Sequence, residues 1–164
     1  MYKIVLISLF IVLFLNIKAQ TINYTSIQKE IKSTFPEIDF SNKLLVVSVW
    51  NSAEITSREI NKEINHTYEL YKGAKFKDGL KGIVYISISS DYSEMQYSIC
   101  MKKDSNYYQY SICDFKSFSQ NSKLYKMELS PSIKNLTFNS NGVLIYQNLP
   151  VDQIFKSFNA LLTR

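Results

Sequence analysis

Three stretches of the chain predict an α/β fold, a central sheet flanked by helices in a single domain. The first, Lys43 to Glu59 (KLLVVSVWNSAEITSRE), reads as a buried strand, a turn and the opening of an amphipathic helix. Its run Leu44 to Trp50 is short, apolar and rich in β-branched residues, as a strand covered on both faces should be. The second, Gly82 to Ser90 (GIVYISISS), has the same character and ends at Asp91, ahead of another helical stretch. The third is a hairpin signal: Asn135 to Asn139, the turn residues Ser140-Asn141-Gly142, then Val143 to Gln147. Strands alternating with helical segments mark a layered α/β domain, and 164 residues suffice for one such core.

Residues 1–19 read as a secretory signal peptide. Lys3 lies in a short basic start, Ile4 to Leu15 is the apolar core, and Ala19 is the small residue before a cut ahead of Gln20. The apolar run is shorter than a membrane-spanning helix needs. The expectation is therefore export to the periplasm or beyond, with no membrane segment left after cleavage. Residues 20–42 are expected to form a helix and a linker. Ile27 and Ile31 stand four apart in Tyr24 to Phe35, and Pro36 ends the helix by excluding helical geometry at the residue before it.

Residues 43–164 form the domain proper. Asn51 and Ser52 are turn formers. Thr56 and Glu59 have capping-box spacing, which places the helix start near Ser57. The helix runs to about Lys72, with Ile60, Ile64, Tyr68 and Tyr71 as its core stripe and Gly73 placed for a left-handed close. Asp91 and Ser93 are helix starters for Tyr92 to Lys103. Ser105 to Phe118 has room for a short strand. Its Tyr107, Tyr108 and Tyr110 read as compositional bias with one side packed on the core, in preference to an aromatic binding surface. Pro150 introduces a last helix, Val151 to Leu162, with Ile154, Phe155, Phe158 and Leu161 on one face.

The first stretch resembles the active-site segment of thioredoxin-like proteins, especially the exported TlpA-type thiol-disulfide oxidoreductases. Their pattern is an apolar strand, a Trp, a short turn and Cys-x-x-Cys at the helix start; Lys43, Trp50, Arg58 and Glu59 fall in register with it. The Asp91 strand end and the Asn-Gly hairpin follow in the family's order, so the resemblance spans Phe40 to Leu162. It implies a thioredoxin-like mixed sheet and a short helix within Ser119 to Leu129. The family's cis-Pro position falls on Ile133, with Pro131 two residues early. The two cysteine positions hold Glu54 and Ser57, and Ser48 stands where true thioredoxins carry an acid.

Dithiol exchange needs a thiolate nucleophile and a resolving thiol, and neither Glu54 nor Ser57 supplies one. The expectation is an exported, redox-inactive domain that binds or scaffolds, with no catalytic residue and with an exported protein or peptide as partner. Cys100 and Cys113 are the chain's only thiols, and an even cysteine count in an exported chain allows a disulfide. Two free thiols are the equal reading. A thiol-disulfide oxidoreductase using Cys100 and Cys113 is the alternative function. His66 is the single histidine, so no metal site is expected, and no cofactor. The formal charge of +5 falls to +3 without Lys3 and Lys18, and the only arginines are Arg58 and Arg164. Nucleic-acid binders cluster Lys and Arg in a stripe, so nucleic acid is not expected as a partner.

Overall fold

The computed structural model describes residues 22–104, 108–116 and 119–163. The signal-peptide expectation for residues 1–19, and Tyr107, lie outside them. The order of elements is α1 (Tyr24–Thr34), β1 (Leu44–Trp50), α2 (Ile55–Tyr71), β2 (Ile83–Ser89), α3 (Glu94–Asp104), β3 (Tyr110–Cys113), α4 (Lys123–Lys126), β4 (Asn135–Phe138), β5 (Leu144–Gln147) and α5 (Val151–Leu161). A 3-10 turn, Lys77–Gly79, lies between α2 and β2. The sheet runs β3-β2-β1-β4-β5. β1, β2 and β3 are parallel, while β4 pairs antiparallel with both β1 and β5. The mixed α/β sheet matches the expected fold class.

Alternation along β1 and β2 divides the core between the two sheet faces. Leu45, Val47, Val49, Val84, Ile86 and Ile88 pack with Ile27 and Ile31 of α1 and with Leu124 and Met127 in and just after α4. Leu44, Val46, Ile83 and Tyr85 pack with Ile60, Ile64 and Tyr68 of α2 and with Ile154 and Phe158 of α5. The N-terminal helix is thus one of the covers of the sheet. Asn23 starts it by accepting from the N–H groups of Thr25 and Ser26 at 3.1 and 3.2 Å. The hairpin forms as expected, with Asn139 Oδ1 accepting from Asn141 and Val143. Gly142 has φ +76°, and a Cβ there would lie 2.5 Å from the Tyr24 ring.

Three local expectations are corrected. α2 opens at Ile55 with Glu54 as its N-cap, and Thr56 and Glu59 form no capping box. The cause is Asn51, whose side chain and carbonyl accept from the N–H groups of Ala53 and Glu54 and bend the chain early. Gly73 is not left-handed; the positive-φ glycines in this region are Gly79 and Gly82. The backbone stays right-handed at Lys72, and Ala74 N–H closes onto Tyr71. Phe155 is 41% exposed and stacks on Tyr71 at the rim, while Ile154 and Phe158 carry the burial of α5. β3 and α4 form where a short strand and a short helix are expected, within residues 105–118 and 119–129. Tyr108 turns toward the α2 face, against Tyr85, and Tyr110 toward the α1 face, against Phe35.

Candidate functional site

Residues 51–57, between the end of β1 and the first turn of α2, form the apex of the domain. Asn51 Nδ2 donates to the carbonyl of Ser90 at 3.0 Å, which ties the turn to the end of β2. Asp91 holds it from below. Its Oδ1 accepts from the backbone N–H and hydroxyl of Ser52 at 2.8 and 2.6 Å, and its Oδ2 accepts from Ser89 at 2.6 Å. Asp91 and Ser93 are both helix starters by sequence. That role falls to Ser93, whose hydroxyl accepts from Gln96 N–H, and the buried Asp91 carboxylate is spent on the apex turn.

Glu54 and Ser57 stand one helical turn apart at the head of α2, but in different surroundings. Ser57 is 1% exposed. Its hydroxyl accepts from Asn51 N–H at 3.1 Å and faces the carbonyls of Asn51 and Glu54 at 3.2 and 3.0 Å. Glu54 is exposed, and both its carboxylate oxygens accept from Lys134 Nζ, at 2.9 and 2.7 Å. Lys134 was not among the residues expected at the site. It lies just ahead of β4, beside Ile133, and no spacing rule links it to residue 54.

An open cleft of about 490 Å³ lies between the apex turn and this segment, lined by Val49, Trp50, Tyr92, Pro131, Ile133 and Lys134 with Asn51, Ala53, Glu54 and Ser90. Ile133 is buried, Pro131 is exposed, and no cis peptide occurs among the described residues. Trp50, the single tryptophan, is 2% exposed. Its indole N–H donates to Ser87 Oγ at 2.9 Å, and its ring meets Tyr97 of α3 at 5.9 Å and Tyr108 at 6.5 Å.

Beneath the apex is a buried polar cluster that sequence reasoning missed. Asn61 Oδ1 accepts from Ser48 at 2.9 Å and Tyr85 at 2.6 Å, with Ser87 at 3.3 Å, while its Nδ2 donates to Tyr108. Burial holds the Tyr85 and Tyr108 phenols well above the ordinary tyrosine range, so both stay neutral, Tyr85 donating to Asn61 and Tyr108 accepting from it. The available signal was alternation: Ser48, Ser87 and Ser89 all point to the α2 side of strands that are otherwise apolar there.

Cys100 and Cys113 are free thiols on α3 and at the end of β3. Burial, reinforced by the nearby Asp104 carboxylate, pushes the Cys100 thiol up to about 11 against the pull of Arg58. Burial raises Cys113 as well. Asp104 binds Arg58 through Nε at 3.0 Å and Lys62 at 3.0 Å, which fastens the end of α3 to α2. Burial alone would raise this carboxyl, but the bonds from Arg58, Lys62 and Cys100 hold it at about 2. Among the described residues no group of His, Cys, Asp and Glu is arranged to hold a metal ion, and no helix is long and apolar enough to cross a membrane.

The sequence matches no protein-family model and no curated protein. Solved structures do match the fold. The thioredoxin domain of a thiol-disulfide oxidoreductase from Bacteroides vulgatus superposes with a TM-score of 0.59 and 15% identity, over 76% of this chain and 83% of that one. The C-terminal domain of a protein described as a thiol-disulfide oxidoreductase from Bacteroides thetaiotaomicron gives 0.56 and 25%, over 76% and 80%. A secreted disulfide oxidoreductase of Mycobacterium tuberculosis gives 0.55 and 9%, over 74% and 84%. The fold is thioredoxin-like.

Proposed function

We propose that this chain is an exported, redox-inactive thioredoxin-like domain that acts as a binding or scaffold module. The observation that carries this reading is the state of the apex. Position 57 holds a buried hydroxyl engaged with the turn that precedes it, and position 54 holds a carboxylate paired with Lys134. Neither side chain can attack a disulfide sulfur or resolve a mixed disulfide. What stands at the apex is a cleft with mostly apolar walls and an ion pair at its mouth, which is equipment for binding an exported protein or peptide. Export rests on the basic start, apolar core and Ala19-Gln20 junction of residues 1–20, and is in keeping with the secreted mycobacterial structure.

The second reading, a thiol-disulfide oxidoreductase using Cys100 and Cys113, is favoured by the descriptions of the matching structures. Against it stands the raised position of both thiols, because only the thiolate is nucleophilic. Insulin reduction with dithiothreitol separates the two. The binding-module reading expects no acceleration over dithiothreitol alone. Turnover that disappears in Cys100→Ser would establish the second reading. N-terminal sequencing of protein from the cell envelope should begin at or near Gln20.

A further inference from the structure

Building on the binding-module reading, we propose that Glu54 is a built-in competitor for the apical cleft, whose ligand is a peptide segment bearing a carboxylate side chain beside apolar residues. Lys134 is presented from a fixed base. Its carbonyl accepts from Val49 N–H at 2.9 Å, and its own N–H donates to Asn148 Oδ1 at 2.8 Å. Its ammonium already holds a carboxylate through both oxygens, so the structure displays the ligand chemistry of this position. Glu54 is the movable partner. It is the N-cap residue of α2, yet its side chain caps no backbone N–H, and it is 46% exposed. A guest carboxylate can take its place on Lys134 while Glu54 swings into water with little loss, since an exposed ion pair contributes little.

The walls select what the carboxylate is attached to. Val49, Trp50, Tyr92, Pro131 and Ile133 give the cleft apolar sides. Across the apex turn lies a second hollow, lined by Ser52, Arg58, Gln96, Ile99, Cys100 and Lys103. Tyr92 in the first hollow and Ile99 in the second are 83% and 61% exposed. An extended peptide reaches both hollows, whereas a compact acid fills only the first.

The test is a two-dimensional amide NMR titration of the full chain with three probes: acetyl-Phe-Glu-Phe-amide, its Gln counterpart and 4-phenylbutyrate. The Glu peptide should shift the Trp50 indole and the Ala53 and Lys134 amides, and should bind more tightly than both other probes. Glu54→Gln should tighten the Glu peptide by about two- to fivefold, the removal of a surface ion pair's competition. Lys134→Gln should erase the preference for Glu over Gln. Unchanged or weaker binding in Glu54→Gln, equal binding of the two peptides, or no shifts with any probe overturns the proposal. Phenylbutyrate binding as tightly as the Glu peptide overturns the choice of a peptide. Insulin turnover by the chain would sink the redox-inactive reading without altering any of these results.

Discussion

On the α1 side of the sheet, the inward residues of β1 and β2 are aliphatic from end to end: Leu45, Val47, Val49, Val84, Ile86 and Ile88. On the α2 side the same strands begin with Leu44, Val46 and Ile83, then turn polar at their C-terminal ends with Ser48, Trp50, Ser87 and Ser89. The first face is held by shape and area, and tolerates exchange of one aliphatic residue for another of similar volume. The second face must satisfy each buried donor and acceptor, so its partners are fixed one by one: Asn61 to Ser48, Tyr85 and Tyr108, and Asp91 to Ser52 and Ser89. Trp50, at the end of the polar half, lines the cleft. The difference teaches that the apex is positioned by hydrogen bonds while the rest of the domain is held by packing.

The largest effect should come where both kinds of support meet. Trp50→Ala removes a buried ring and its bond to Ser87, and should destabilise the domain by about 3–5 kcal/mol in urea unfolding. On the apolar face Leu136→Ala should cost about 2–5 kcal/mol and leave cleft amide shifts in place. Asn61→Ala breaks the comparison from the other side. It strands the Ser48, Tyr85 and Tyr108 hydroxyls in the interior, with a cost of about 3 kcal/mol and shifted cleft amides. Equal disturbance of the cleft by Leu136→Ala and Asn61→Ala would show that the two faces do not differ in this way.

Asp104 gives the next effect, and it depends on pH. Its folded carboxyl sits at about 2, below the unfolded value of about 3.9, so its bonds to Arg58 and Lys62 stabilise the domain fully above pH 5. That contribution fades as pH falls from about 5 through 2. Asp104→Asn should therefore cost about 1–3 kcal/mol at pH 7, with the gap to the parent closing toward pH 2 in urea titrations. A gap that is constant with pH would mean that the carboxylate charge is not what fastens α3 to α2. Smallest of all, Glu54→Gln should change stability by less than about 1 kcal/mol, because its pair with Lys134 is solvent-exposed. A larger loss would make Glu54 part of the frame that holds the apex.

The sequence by itself determined the layered α/β class, the limits of β1, the position of the Asn-Gly hairpin and the inward apolar residues of α1 and α2. These follow from period and turn chemistry, which act over a few residues. It also showed that positions 54 and 57 carry no thiol. Only the tertiary structure decided what those positions do. Lys134 lies 80 residues from Glu54, Asp91 lies 39 from Ser52, and Asp104 lies 46 from Arg58. No local pattern encodes such pairs, because a carboxylate selects its partner by what the fold brings within about 3 Å. The same reason explains why Asp91, a good helix starter by its type, is drawn away to the apex: the buried turn offered its carboxylate hydrogen bonds from Ser52 and Ser89, and the helix start offered a Ser93 that could serve in its place.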